Sequence, residues 1–371
     1  MQLNEACVDF ALGKPQAYKN LTIVPIQAKR GGKKSELDYI VLNEGLKNGS
    51  VHIQETGDVN KLWISNNSDK DLLVLKGEYV VGGKQNRMVT VNGLIAAHTG
   101  RMYIPVHCVQ HGRWDSPKGF GLADFAASVS LRSRVTKSAS GQGGQSETWN
   151  EVKCFLGDAG VRSSSENFDD AYKGRRNDTE EYLKSFTKER GQLGAIAIVG
   201  YRNGQTHAFV DMFDQAGTFT KHYERILGSY AIDAAVQGVD VEVNVSKADA
   251  EKFLSAILNA PTTESQSICL GSDYEINDGR VQGAGLVYEG TMVYLGAKDY
   301  SERREGYTPP PSFPGGGRRP GPRRPDRRGG PRGPLSDCTR GPELRSGNLC
   351  SGFGGGFSTE LPPNPKGRGK I

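Results

Sequence analysis

Two apolar runs, GAIAIV at 194–199 and AFVDMF at 208–213, decide the fold of this chain. Small, β-branched and aromatic residues fill both runs, which is typical of buried strands. Asn203 and Gly204 lie between the runs, and this dipeptide favours the tight turns that connect antiparallel strands. We therefore predict a buried β-hairpin in the middle of the chain.

Residues 20–110 alternate in the manner of β-strands. The predicted strands are the runs at 21–26, 51–53, 62–64, 72–75, 88–91 and 102–106. Residues 36–42 (ELDYIVL) fit a short helix or another strand, and periodicity does not decide between them. The N-terminal half is predicted to be mostly sheet.

Helical spacing enters later in the chain. Apolar residues repeat at three, four and seven positions across 223–234, and another helix is expected to begin near Asp178. Residues 246–249 (SKAD) resemble a capping box at the start of a helix. A last pair of strands is predicted at 285–288 and 292–295. Strand runs that come first, with helices mixed in later, indicate an α+β fold.

The basic character of the chain lies at its C-terminal end. Of the 47 basic and 42 acidic side chains, 14 and 6 lie in residues 301–371, which leaves 33 basic and 36 acidic in residues 1–300. Residues 301–371 also hold 16 of the 49 glycines and 13 of the 18 prolines. Such a segment buries too little apolar surface to offset the entropy of ordering. We predict a globular α+β domain at 1–300 and a disordered Arg/Pro/Gly-rich tail at 301–371.

The N-terminal sequence and the cysteines indicate a cytoplasmic protein. The first residues, MQLNE, lack the basic and apolar regions of a signal peptide, and no run reaches the roughly 18 apolar residues that cross a bilayer. No membrane partner is therefore expected. The six cysteines form no C-x-x-C pair, so reduced thiols are expected rather than a disulfide framework or a zinc ribbon.

The densest polar cluster is KGEYVVGGKQNR at 76–87, which connects two predicted strands. It is not a nucleotide-binding P-loop, because Gly83 separates Gly82 from Lys84, and Gln85 replaces the Ser or Thr that the motif requires. The backbone amides of a glycine turn can still approach a phosphate or a carboxylate. The cluster therefore predicts an anion-binding turn.

The side chains of the same cluster suit an anionic ligand. Lys84 and Arg87 provide cations, Asn86 provides an amide, and Glu78 provides a carboxylate that fits a general base. The alternative is a plain hairpin in which these charged groups are solvated.

The second polar cluster is HCVQHGRW at 107–114. Alternation along the preceding strand places Cys108 among apolar neighbours, which indicates a buried thiol; a cysteine nucleophile is the catalytic alternative. His107 points to the opposite face, so no metal site is predicted. Arg113 can pair with phosphate while Trp114 stacks on a base or sugar. The alternative is a surface arginine that covers a core tryptophan.

Residues 132–148 are rich in Gly, Ser and polar side chains and are predicted to form a flexible loop. Arg132, Arg134 and Lys137 of that loop could close over an anion, but we favour the alternative in which they are solvated. Asp211 and Asp214 are weak acid/base candidates, because Asp211 lies near the end of an apolar strand and Asp214 fits a turn.

Several segments occur together in a recognisable order. They are YKNLTI at 18–23, GE at 77–78, GKQNR at 83–87, IPV at 104–106, GRW at 112–114, GAI at 194–196 and DMFD at 211–214. Together they resemble the family of ADP-ribosylglycohydrolase and rhodanese/phosphatase-associated proteins. The resemblance spans about residues 15–300 and leaves out the tail.

The resemblance implies NAD-derived or ADP-ribose-derived chemistry and assigns no reaction. With the residue patterns, it gives two catalytic candidates, Glu78 and Cys108. The predicted ligand-binding residues are Gly83, Lys84, Gln85, Asn86, Arg87, Arg113 and Trp114. The cofactor stays unassigned.

The predicted function is binding or processing of an ADP-ribose-like or other NAD-derived nucleotide. A hydrolase or transferase fits these residues as well as tight binding does. One alternative is a non-enzymatic nucleic-acid-associated protein whose basic tail contacts RNA weakly. Another is a thiol enzyme that depends on Cys108.

Overall fold

Strands outnumber helices in the part of the chain that the structure describes. The computed structural model describes residues 3–114, 119–133, 144–202, 204–237, 243 and 245–300. Its strands are β1 (Phe10–Leu12), β2 (Gln16–Tyr18), β3 (Leu21–Ala28), β4 (Tyr39–Val41), β5 (Val51–Glu55), β6 (Lys61–Asn66), β7 (Asp71–Val74), β8 (Tyr79–Val81), β9 (Arg87–Val89), β10 (Gly93–Ile95), β11 (Thr99–Cys108), β12 (Gly121–Leu122), β13 (Gln192–Gly200), β14 (Thr206–Phe213), β15 (Thr262–Gln266), β16 (Ser272–Asn277), β17 (Val281–Tyr288) and β18 (Thr291–Tyr300). Its helices are α1 (Leu3–Ala6), α2 (Leu42–Asn48), α3 (Gln145–Asp158), α4 (Asp169–Gly174), α5 (Arg176–Ser185), α6 (Ala216–Gln237) and α7 (Lys247–Leu258). Residues 129–133 are also helical. The mixture confirms the predicted α+β class.

The predicted hairpin stands at the centre of a nine-stranded antiparallel sheet. Its strands are β13 and β14, in which Gly194 pairs with Met212 and Gly200 pairs with Thr206. The strand order is β1-β3-β13-β14-β18-β17-β16-β15, with β2 beside β3. Asn203 of the predicted turn lies outside the described residues. The hairpin thus connects an N-terminal strand, β3, to the last strand, β18.

Helices cover both faces of this central sheet. Ile196 and Ile198 of β13 enter an apolar core that includes α7, whereas Ala195 and Ala197 enter a second core that includes α6. Successive side chains of a strand point to opposite faces. A strand that is covered on both faces must therefore be apolar throughout, which explains the run at 194–199.

Two smaller sheets in the N-terminal half share a third apolar core. One has the order β12-β8-β9-β11-β6-β5, and the other has the order β10-β7-β4, in which β4 and β7 run parallel. Ile64, Leu72 and Val106 are among the buried residues of this core. Strands β5, β6, β7, β9 and β11 confirm the predicted ones. The undecided segment 36–42 contains strand β4 and leads directly into α2.

Some strands escape sequence prediction because they are polar. The edge strand β15 (TTESQ) is mostly exposed and pairs with β16 in the central sheet. Main-chain hydrogen bonds hold such a strand, so its side chains need no apolar period.

The capping box is confirmed, because the Ser246 hydroxyl accepts a hydrogen bond from the Asp249 main-chain nitrogen at 3.2 Å. Across the described helices, none combines the length and the apolar character of a membrane span.

The predicted loop at 132–148 is shorter than expected. Residues 129–133 are helical, α3 begins at Gln145, and residues 134–143 lie outside the described part of the chain. The side-chain amide of Gln145 exchanges two hydrogen bonds with the main chain of Cys108, at 2.7 and 2.8 Å. These bonds fix the start of α3 against β11. The predicted tail, 301–371, also lies outside the described residues.

A buried ion pair joins four elements of the fold. Arg132 donates from Nη1 and Nη2 to the two carboxylate oxygens of Asp211, at 2.9 and 3.0 Å. Tyr230 of α6 donates to Oδ2 at 2.5 Å, and Tyr294 of β18 donates to Oδ1. The expectation that Arg132 is solvated is wrong, because its side chain is buried against this carboxylate.

The substitution Asp211→Asn is expected to lower the free energy of unfolding by about 3–5 kcal/mol, because it leaves the Arg132 guanidinium buried without its counter-charge. Glu251→Gln is the control, since Glu251 forms an exposed pair with Lys247 and should contribute less than about 1 kcal/mol. Urea unfolding followed by circular dichroism measures both variants. Similar losses in the two variants would contradict the role given to Asp211.

Candidate functional site

The two polar clusters found in the sequence meet at the turn between β8 and β9. Gly82 and Gly83 have φ angles of 119° and 49°, which are values that favour glycine. A Cβ at Gly82 would lie 2.3 Å from the main-chain oxygen of Gly119. Asn86 closes the turn, because its Oδ1 accepts a hydrogen bond from the Gly82 nitrogen at 3.1 Å. The doubled glycine is therefore required by both conformation and space.

Arg113 of the second cluster holds this turn in place. Its Nη1 donates to the carbonyl of Gly83 at 2.9 Å, and its Nη2 donates to the carbonyl of Gly82 at 3.0 Å. Nη2 also donates to Asn86 Oδ1 at 3.1 Å, and Nε donates to Gln110 Oε1 at 2.8 Å. The guanidinium donates these four hydrogen bonds to groups of the protein. Arg113 is therefore a positioning residue for the turn.

Arg87 and Cys108 lie inside the protein, directly opposite each other on β9 and β11. Side chains of directly opposed residues share one face of a sheet. Arg87 Nη2 lies 3.7 Å from Glu55 Oε2, while its Nε and Nη1 have no hydrogen-bond partner among the described residues. The Cys108 thiol donates to the carbonyl of Gln110 at 3.1 Å. Burial raises the pKa of Cys108, and Trp149 and Arg87 oppose that rise.

The remaining predicted binding residues differ in exposure. Lys84 is exposed, Gln85 is buried, and Trp114 is 62% exposed. His107 is buried. In the described ranges, no group of three or more His, Cys, Asp and Glu side chains is arranged to hold a metal ion. The ligand-binding roles of the predicted residues stay predictions.

Glu78, the predicted general base, is buried beneath α6. Its Oε2 accepts a hydrogen bond from the main-chain nitrogen of Leu75 at 2.9 Å, and its Oε1 lies 3.8 Å from Nδ1 of His222. The ring of Phe213 stacks on the imidazole, with 5.1 Å between centroids. Burial raises the pKa of Glu78 to about 7 and lowers the pKa of His222 to about 3. Both side chains are therefore mainly neutral between these two pH values.

Two adjoining pockets form a groove on the surface beside the turn. Their volumes are about 320 Å³ and about 780 Å³, and Asp124, Asp169 and Lys173 line both of them. We call the combined feature the surface groove. Asn86 and Arg113 line its smaller pocket. Of the predicted ligand-binding residues, Asn86 and Arg113 therefore reach the groove.

Charged side chains of both signs line the surface groove. Its basic residues are Lys47, Arg113, Lys173, Arg176, Lys188, Lys221 and Arg225. Its acidic residues are Asp124, Asp169, Glu180 and Glu224. Half-buried aromatic rings, Phe125 and Tyr223, lie in the larger pocket. The sequence did not reveal this groove, because its residues come from α2, α4, α5, α6 and the segments around β8 and β12, and charges on a helix surface look like an ordinary solvated face.

A second, small cavity lies between the central sheet and residues 129–133. Its volume is about 50 Å³, and its lining includes Lys76, Arg132 and Lys298. We call it the cationic cavity. Lys298 Nζ donates to Ser133 Oγ at 2.9 Å. Burial, together with Arg132 and Lys298, lowers the pKa of Lys76 well below its usual value.

Sequence reasoning missed the cationic cavity although a signal was present. Lys298 continues the alternation of Tyr294 and Gly296 on a strand that is apolar from Met292 to Ala297 except for the Tyr294 hydroxyl. Lys76 likewise comes directly after the apolar run 72–75. A lysine at an inward position of a strand is unusual. The sequence could mark each lysine, but it could not show that the two face one space.

In the folded protein, Cys108 should react with iodoacetamide at least about tenfold more slowly than Cys154, because Cys108 is buried and its pKa is raised, whereas Cys154 is partly exposed. Mass spectrometry of peptides after timed labelling gives both rates from one sample. Labelling in urea controls for intrinsic reactivity. Faster labelling of Cys108 would favour the thiol-enzyme alternative.

Glu78→Gln should change the pH dependence of stability. The pKa of Glu78 is about 7 in the folded protein, against an ordinary value of 4.5. The folded state therefore binds the carboxyl proton of Glu78 more tightly than the unfolded state does. The stability that results is complete below about pH 4.5 and is lost as the pH rises to about 7. Relative to wild type, the variant should gain up to about 3 kcal/mol in unfolding free energy between pH 4 and pH 8. Urea unfolding across that range measures the difference, and a pH-independent difference would refute the raised pKa.

Comparison with known proteins places the chain in a family. Residues 9–297 match the family described as the ARG and Rhodanese-Phosphatase-superfamily-associated Protein domain. Among curated proteins and among solved structures, no match was found. The matched stretch runs from the start of the central sheet into its last strand and covers well over half of the sequence. The chain therefore belongs to the ARG and Rhodanese-Phosphatase-superfamily-associated Protein domain family.

Proposed function

We propose that this protein binds an ADP-ribose-like or other NAD-derived nucleotide in the surface groove. The observation that carries the proposal is the composition of the groove, in which seven basic side chains face four acidic ones beside half-buried aromatic rings. Phosphates pair with cations, ribose hydroxyls donate to carboxylates, and a base stacks on an aromatic face. The association of the family with ARG and rhodanese-phosphatase proteins supports an NAD-related ligand.

The dimensions of the groove suit a ligand of this size. The larger pocket, at about 780 Å³, falls within the roughly 300–1,000 Å³ that is common for small-molecule sites. Lys188 Nζ lies 6.0 Å from the centroid of the Tyr223 ring. A base that stacks on Tyr223 would therefore place its attached phosphates close to basic side chains.

The junction of the two pockets supplies groups for the ribose. Asp169 lies there, with Tyr79 Oη donating to its Oδ1 at 3.1 Å and Lys173 Nζ 2.9 Å from its Oδ2. These contacts hold the carboxylate in one orientation. Asn86 adds an amide from the β8–β9 turn, and Arg113 fixes that turn. In this proposal Asn86 contacts the ligand, while Arg113 positions it.

Replacing Lys173 and Arg176 together by methionine is expected to weaken ADP-ribose binding at least about tenfold, because each charged hydrogen bond to phosphate contributes roughly 1.5–3 kcal/mol. Isothermal titration calorimetry measures the affinity. The matched control is Lys252→Met, which removes an exposed lysine of α7 on the opposite face of the central sheet. The control should bind as wild type does.

A second variant separates the recognition of the base from that of the phosphates. Tyr223→Leu should weaken binding of ADP-ribose and AMP, which carry a base, and should leave binding of ribose 5-phosphate unchanged. Thermal unfolding checks that the variant is folded. If wild-type protein shows no saturable binding of any of these three compounds at millimolar concentration, the proposed function is wrong.

A further inference from the structure

Strands β5, β6 and β11 turn part of one sheet face toward solvent. The opposite face of these strands packs on an apolar core through residues that include Ile53, Ile64 and Ile104. Successive side chains of a strand point to opposite faces. The residues that alternate with the core residues therefore point outward, and each is at least partly exposed: His52, Gln54, Lys61, Trp63, Ser65, Arg101, Tyr103 and Pro105. We call this set the open face.

An aromatic pair stands on the open face. Trp63 and Tyr103 are directly opposite each other on β6 and β11, and their rings stack with 3.9 Å between centroids and 21° between planes. Tyr103 nevertheless stays 51% exposed. An aromatic ring that is held upright by one neighbour and exposed elsewhere offers a flat surface on which a further ring can stack.

The open face carries positive charge. Its ionised side chains are Lys61 and Arg101, and none of its members is acidic. Lys61 Nζ lies 3.8 Å from Asp58, an exposed pair of the kind that contributes little. Arg101 is exposed and takes part in no ion pair within the described residues. Glu55 of β5 points to the other face, where its Oε2 lies 3.7 Å from Arg87 Nη2. An anionic partner therefore complements the open face.

Other occupants complement the open face less well. Residues 301–371 carry 14 basic and 6 acidic side chains, so the tail of this chain has the same sign of charge as the open face. A second copy docked symmetrically would oppose two identical basic surfaces. A lipid surface favours protruding aliphatic side chains, and the open face has no Leu, Ile, Val or Phe. A polymer that carries both phosphates and unpaired bases matches the charge and the rings together.

We propose that the open face binds single-stranded RNA. An unpaired base stacks on Tyr103, and the adjoining phosphates pair with Lys61 and Arg101. Lys61 Nζ lies 5.6 Å from the centroid of the Tyr103 ring, so the ring and the cation can reach one nucleotide. Gln54, which is opposite Trp63 on β5, offers its amide to a ribose 2′-hydroxyl. Because every base can stack, this binding tolerates many sequences.

Fluorescence anisotropy of the full chain with a labelled oligouridylate of about ten nucleotides tests the proposal. Wild type should bind saturably, and Tyr103→Leu should weaken binding at least about fivefold, because it removes the ring on which a base stacks. Tyr103→Phe restores the ring and should recover most of the affinity. Absence of saturable binding by wild type would overturn the proposal, as would wild-type affinity in Tyr103→Leu.

A second variant tests the phosphate contacts and leaves the aromatic pair in place. In Lys61→Gln/Arg101→Gln, the slope of log affinity against log salt concentration should become shallower by about 0.7 for each phosphate contact that is lost. Lys252→Gln, which removes an exposed lysine of α7, is the matched control and should keep the wild-type slope. Residues 301–371 are the same in every variant, so they cannot produce the difference. A wild-type slope in the double variant would overturn the proposal.

Two further oligomers identify the partner. An abasic oligomer of the same length carries the phosphates without the bases and should bind at least about fivefold more weakly than the oligouridylate. Equal binding of the two would overturn the stacking contact. The oligodeoxyuridylate lacks the 2′-hydroxyl and should also bind more weakly. Tighter binding of the deoxy oligomer would overturn the assignment to RNA.

The open face shares no residue with the surface groove, so this proposal and the nucleotide site fail independently. Saturating ADP-ribose should leave the anisotropy of bound oligouridylate unchanged. Displacement of the oligomer by ADP-ribose would place the RNA in the surface groove and would overturn its assignment to the open face.

Discussion

The carboxylate of Asp211 is the point on which the architecture depends. It lies on β14, at the centre of the largest sheet, and it accepts hydrogen bonds from Arg132, Tyr230 and Tyr294. These donors belong to the helical residues 129–133, to α6 and to β18. A buried carboxylate requires such complete pairing, because an unpaired charge in a low-dielectric interior is far too costly. One side chain thereby fixes the relative positions of elements that are distant in the sequence.

The β8–β9 turn likewise depends on one side chain, that of Arg113. Gly82 and Gly83 bend the chain, and Arg113 satisfies their carbonyls from a segment about thirty residues later. The turn, which also packs against Gly119 and Phe120, presents Asn86 at the edge of the surface groove. Binding sites are more precise when rigid neighbours support them. The guanidinium that appeared in the sequence to be a ligand-binding group serves here chiefly as that support.

Sequence reasoning recovered the parts of the fold that a local pattern encodes. The hairpin of β13 and β14, the long helix α6 and the capping box at Ser246 each follow from residues within about twenty positions of one another. Arg132 shows the limit, because a polar neighbourhood suggested solvent and only the distant Asp211 explains its burial. In the candidate site, too, local features could be predicted and contacts between distant segments could not. The two polar clusters could be recognised from their composition, whereas their meeting at the β8–β9 turn, the surface groove and the cationic cavity depend on which elements face each other.

Helix α6 connects the surface groove to the buried ion pair of Arg132 and Asp211. Arg225 lines the surface groove, and Tyr230 binds the carboxylate that forms part of the cavity lining. Five residues of α-helix separate them, a rise of about 7.5 Å along a stiff axis. A displacement of α6 at Arg225 would therefore also disturb the hydrogen bond from Tyr230 to Asp211. The surface groove is in this way mechanically joined to the buried ion pair that holds the central sheet together.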